Sequence, residues 1–62
     1  MKIEAYEITE SGLEMYIGTF ADGSAAMKAA NTSVPATSAV KFISTEQDAA
    51  GRREIISEWI AQ

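Results

Sequence analysis

The groups in this chain that could do chemistry are carboxylates, hydroxyls and two lysines, Lys28 and Lys41; histidine and cysteine are both absent. Their absence removes the commonest general base, the commonest metal ligand and the thiolate nucleophile. An enzyme built from what remains needs a lysine beside a serine in a protected pocket, and no spacing here places Lys28 or Lys41 that way. A carboxylate metal site needs several acids converging. Glu4 and Glu10 instead fall on one side of an expected hairpin and Glu7 and Glu14 on the other, and no calcium-loop spacing occurs. Gly23-Ser24 lacks the glycine spacing and lysine of a phosphate loop, and a turn followed by an N-cap accounts for it. The sequence therefore predicts no catalytic residues, no metal and no cofactor.

What the acids can do is set a field. Nine acids against five bases give a net charge of -4, which opposes direct binding to a phosphate backbone, a task that requires clustered Lys and Arg. Residues 1–22, with Glu4, Glu7, Glu10, Glu14 and Asp22 against Lys2, carry the same -4 by themselves. One reading is that these charges keep a small domain soluble and blunt a sheet edge. The other is that Tyr16 and Phe20, flanked by Glu7 and Glu14, form a patch that docks on a basic protein surface, with Glu4 and Glu10 as steering charges.

Positioning these residues requires few elements, because 62 residues make one domain whose burial on folding is only about 60% of its unfolded surface. Lys2 to Ala21 reads as two strands around a Ser11-Gly12 turn. That register sets Ile8 against Met15, Tyr6 against Ile17, Glu4 against Thr19, Ile3 against Phe20 and Glu7 against Tyr16. Tyr6, Ile8, Leu13, Met15 and Ile17 then share the expected core side, and Ile3, Ala5, Glu7, Glu14, Tyr16 and Phe20 the solvent side. Ala25 to Ala30 predicts a two-turn helix, capped by Asp22 or Ser24 and closed by Asn31, before a loop over 32–37. Ser38 to Ile43 predicts a third strand.

Beyond it, Ser44 and Gln47 have the spacing of a capping box, with Glu46 and Asp48 at the positive end of a helix dipole. Ala49, Ile56, Trp59 and Ile60 share a helical face, which makes Trp59 a core anchor, while Gly51 marks a kink or a close approach. The expected fold is a two-layer α+β domain, β-β-α-β-α, with a three-stranded antiparallel sheet in the order 2-1-3 and two helices on one face.

Small size, acidity, the lack of cysteine and histidine, and the compact mixed pattern resemble the accessory proteins that bacteriophages encode against host defences, including anti-CRISPR proteins. The resemblance is one of type across the whole chain and rests on no specific motif. It implies a non-enzymatic inhibitor in the host cytoplasm that occupies a basic surface of a nucleic-acid-binding complex. The expected partner is a protein; net charge opposes direct nucleic-acid binding, no apolar run reaches membrane-spanning length, and the expected state is a monomer or weak homodimer. The two-strand and helix opening is faintly similar to HicB-type antitoxin domains, without their DNA-binding extension. A structural or antitoxin-like interaction module using an exposed sheet edge is the alternative. No positively charged start leads an apolar run, as a secretory signal requires.

Overall fold

A computed structural model describes residues 1–61, with the element order β1 (Lys2–Ile8), β2 (Glu14–Phe20), α1 (Gly23–Ser33), β3 (Ala39–Gln47) and β4 (Arg53–Ala61). The strands pair antiparallel in one sheet, β2-β1-β3-β4, and α1 lies on one face across β1 and β2. The fold is of the α+β type, but the expected three-stranded sheet with two helices is wrong: the segment read as the second helix is a fourth strand.

The physical reason lies in the turn that precedes it. The Asp48 carboxylate accepts the backbone N–H groups of Ala50 and Arg52, each at 2.9 Å, and the Asp48 N–H donates to the Arg52 carbonyl at 2.9 Å. Gly51 takes φ +81°, a conformation open to glycine and costly for other residues. Asp48 and Arg52 pair at 3.0 Å across this turn. Ser44 and Thr45, both buried, continue β3 where a cap was expected. Past the turn, Ile55, Ile56, Trp59 and Ile60 favour strand through χ1 stiffness and aromatic packing. Their alternation is obscured by a bulge: Thr45 faces Ile55 and Ser44 faces Ser57, which leaves Ile56 extra.

A second bulge reshapes the hairpin. Ile3 faces Phe20 and Glu4 faces Thr19, but beyond Ala5 the pairing shifts, so that Tyr6 faces Tyr16, Glu7 faces Met15 and Ile8 faces Glu14. The connection is wider than a two-residue turn. The Thr9 N–H donates to the Leu13 carbonyl, the Gly12 N–H donates to the Thr9 carbonyl, both at 2.9 Å, and Gly12 takes φ +89°.

The face that α1 covers is the one expected to meet solvent. Ile3 and Ala5 are buried with Ala26 and Ala30 of the helix and with Phe42, while Ile17, Phe20 and Val40 pack around them. Small residues decide this. Ala5 in β1 is buried with the alanine stripe of α1, and Gly18 opposite it in β2 leaves room for the Phe20 ring that closes the side of this contact. Phe20 folds over Gly18, where an added Cβ would sit 3.0 Å from the ring. The helix is longer than expected. Asp22 caps it by accepting the Ala25 N–H at 2.8 Å, and Thr32 stays helical, its hydroxyl donating to the Lys28 carbonyl at 2.9 Å. Trp59 is stacked on the outer side of Phe42 with ring centroids 5.4 Å apart, and at 41% exposure it borders the core instead of anchoring it.

Ala26→Leu would force extra volume into a fully buried position of the core. Denaturant unfolding should show it less stable by about 1–3 kcal/mol, whereas Met27→Leu, on the exposed side of the same turn, should change little.

Candidate functional site

With α1 on one side, the other side of the sheet is open, and its residues follow from the pairing: Glu4, Tyr6 and Ile8 on β1, Glu14, Tyr16 and Thr19 on β2, Lys41, Ile43 and Thr45 on β3, and Arg53, Ile55, Glu58 and Ile60 on β4. The polar groups among them form one connected set. Arg53 grips Glu4 with both arms of its guanidinium, Nε to Oε2 and a terminal nitrogen to Oε1, each at 2.7 Å. Tyr6 donates its hydroxyl to Glu4 Oε1 at 2.8 Å. The Lys41 ammonium sits 5.6 Å above the centre of the Tyr6 ring, bonds Glu14 at 2.6 Å and has Glu58 at 3.8 Å. Tyr16 stands against Tyr6, ring centroids 5.5 Å apart, and its hydroxyl meets that of Thr19.

The Arg53 fork holds the Glu4 carboxyl below its ordinary range, against burial and with help from the Tyr6 hydroxyl, and the same contact raises Arg53. The Glu4 carboxylate pushes the Tyr6 phenol up. Glu14 raises Lys41. Away from this face, the backbone N–H of Arg52 leads the turn hydrogen bonds that depress Asp48. Exposed ion pairs contribute little, about 0–1 kcal/mol. The Glu4–Arg53 pair is the exception in kind, being two-pronged and resting on a carboxylate only 13% exposed.

The residues expected to bind a partner do not lie together. Glu4, Glu14 and Tyr16 share the open face, and Tyr16 is 61% exposed there. Glu7 and Phe20 lie on the helix side, Glu7 accepting the Ser38 hydroxyl at 2.8 Å and Phe20 packed against the core. Glu10 is exposed in the β1–β2 turn. The bulge at Ile17 is the cause, since it puts Tyr16 and Phe20 on opposite sides although they are four residues apart. Tyr6, Lys41 and Arg53 are the members of the face that the sequence reading missed. Tyr6 had been assigned to the core and the segment holding Arg53 to a second helix, and only the four-stranded pairing brings them to Glu4.

Chemically, the arrangement is a surface of paired charges and aromatic rings held in fixed positions. Each acid on this face is matched by a cation within reach. Among the described residues, no group of three or more metal-ligating side chains converges. A groove of about 610 Å³ between the end of α1 and β3 is lined by Met27, Val34, Pro35, Val40 and Phe42 among others, with no ionisable side chain in its lining. No helix among the described residues is long and apolar enough to cross a membrane. The fold and this face together define a small α+β domain with an open-faced, four-stranded antiparallel sheet. Comparison with known protein families, curated proteins and solved structures finds no match.

Because the folded state holds the Glu4 carboxyl below its ordinary value of 4.5, the unfolded chain binds the extra proton as the pH falls through that value. The stabilisation is present at neutral pH and lost on acidification through the folded-state value. Denaturant midpoints measured at neutral pH and near pH 3 should fall steeply for the natural sequence and less for Glu4→Gln.

Proposed function

We propose that this chain is a non-enzymatic protein-binding domain that acts by occlusion. Its open sheet face seats on a basic surface of a nucleic-acid-binding complex in the host cytoplasm, in the manner of the phage-encoded inhibitors that it resembles. The observation that carries this reading is the open face itself: a sheet surface with Tyr16 largely exposed at its edge, Tyr6 behind it, and carboxylates held in fixed positions by Arg53 and Lys41. Aromatic rings supply buried area at low entropic cost, and fixed polar groups supply register.

The electrostatic part of the reading changes with the fold. Glu4, Glu14 and Glu58 on this face are compensated at short range, so they position more than they attract. The uncompensated acids include Glu10, Asp22, Glu46 and Glu54, which make no ion pair among the described residues and lie around the rim and on the helix side. Steering works at a distance and depends on the net charge of -4, so it survives this dispersal.

The test is capture of a nucleic-acid-binding complex on immobilised protein, followed by measurement of the nucleic acid that the complex retains. Stoichiometric loss of nucleic acid is expected with the natural sequence. Tyr16→Ala should weaken capture by about 1–2 kcal/mol or more and act mainly on dissociation, whereas added salt should slow association. Capture unaffected by Tyr16→Ala, or a captured complex that keeps its nucleic acid, would sink the proposal.

A further inference from the structure

We propose that the outer edge of β4 is a self-association surface, along which a second copy of this chain adds antiparallel, Trp59 against Trp59, to make one continuous eight-stranded sheet. The proposal is independent of what the open face binds.

It starts from an incomplete core. α1 covers β1 and β2 and shares the core with Phe42 of β3, but the same side of β4 stays bare from Arg53 to Ser57, and Trp59 remains half-exposed where its ring lies on Phe42. The radius of gyration is 11.9 Å, against about 10.6 Å for a compact chain of this length, and the longest dimension is 39 Å. The β3–β4 ribbon accounts for the excess, since β1 ends its pairing at Thr45 and the ribbon runs on through Gln47 and Arg53.

β4 also has the properties of an edge that is meant to be paired. It is nine residues long and exposed from Arg53 to Ile60; Arg53, Glu54 and the bulge at Ile56, devices that guard a free edge, all precede Ser57, and Ser57–Ala61 carries the single charge Glu58 with neither lysine nor proline. Ile55, Ile56, Trp59 and Ile60 are 51%, 52%, 41% and 56% exposed. The opposite edge, β2, is shorter and broken by its bulge and Gly18.

The occupant follows from self-complementarity. The stretch Ser57–Ala61 pairs regularly with β3, beyond the bulge at Ile56. A twofold axis normal to the sheet at Trp59 sets Trp59 against Trp59, Glu58 against Ile60 and Ser57 against Ala61. No like charges then face each other, whereas parallel pairing in register sets Glu58 against Glu58. The two tryptophans meet on the bare side and extend each Phe42–Trp59 stack into a run of four rings. A standard interface covers about 800 Å² per partner, roughly a fifth of the 4272 Å² surface. A five-residue ladder with these side chains falls below that, so the dimer should be of the weak class, with a micromolar dissociation constant.

The test is sedimentation equilibrium of the full chain from micromolar to millimolar concentration, with Trp59 emission followed over the same range. The mass should rise from 6.7 kDa to twice that, and the emission should move to shorter wavelength in step. Ile60→Glu places an acid opposite Glu58 in both symmetric pairs and should weaken association by about tenfold or more. Ile60→Lys places a base there and should leave it within about threefold of the natural sequence. Ile60 is exposed, and circular dichroism checks that each variant is folded; should one variant fail to fold, the mass and emission of the natural chain with the other variant decide. A chain that stays monomeric throughout, or Ile60→Glu and Ile60→Lys shifting the equilibrium alike, would overturn the proposal.

Discussion

The structure depends on one contact, the alanine stripe of α1 laid against the smallest residues of the sheet. Ala26 and Ala30 are almost completely buried, and Ala5 beneath them is fully so. A helix with two buried alanines brings little apolar area, so its share of the core depends on approach distance more than on side-chain size. Ala5 permits that approach, with Gly18 making room for Phe20 beside it; the face holding Tyr6 and Tyr16 does not. The choice of covered face follows, and with it the composition of the face left open. The large and polar side chains of β1 and β2 are displayed because the small ones are needed underneath.

Bulges then decide which neighbours in sequence become neighbours on a face. The extra residue Ile17 puts Tyr16 beside Tyr6 and sends Phe20 to the core, and the extra residue Ile56 lets Arg53 and Glu58 share a face with Glu4 and Lys41. Without either, the network Arg53–Glu4–Tyr6–Lys41–Glu14 would be divided between two sides of the sheet. The composition of the open face is thus a product of backbone irregularity as much as of residue choice.

These irregularities also mark the limit of what could be read from residues alone. The first two strands, the position of the first helix and its Asp22 cap were legible because turn residues, propensity and capping chemistry agree there. The hairpin register was legible as far as Ala5 and failed at the bulge, since a one-residue insertion reverses every facing beyond it. The last third was misread for a different reason. Ser44, Gln47 and the apolar spacing from Ala49 to Ile60 satisfy a helical template. The same residues make a strand once Asp48 and Gly51 fold into a turn and one residue is bulged out. Ile55, Ile56 and Trp59 were the local warning, being better suited to a pleated surface than to a helix. Of the candidate site, Glu4, Glu14 and Tyr16 could be found from the hairpin, but their partners Lys41 and Arg53 come from strands far along the chain.

Lys41 gives the open face one more property. Its ammonium reaches across β1 to Glu14 while standing near Glu58 on the far strand, so a single positive charge is shared between carboxylates on the two outermost strands. A cationic group arriving from outside at Glu14 competes with Lys41 for that carboxylate, and the displaced ammonium already has a second acceptor within reach. The surface can therefore take in a foreign positive charge by exchange, with neither cation stranded and no strand required to move.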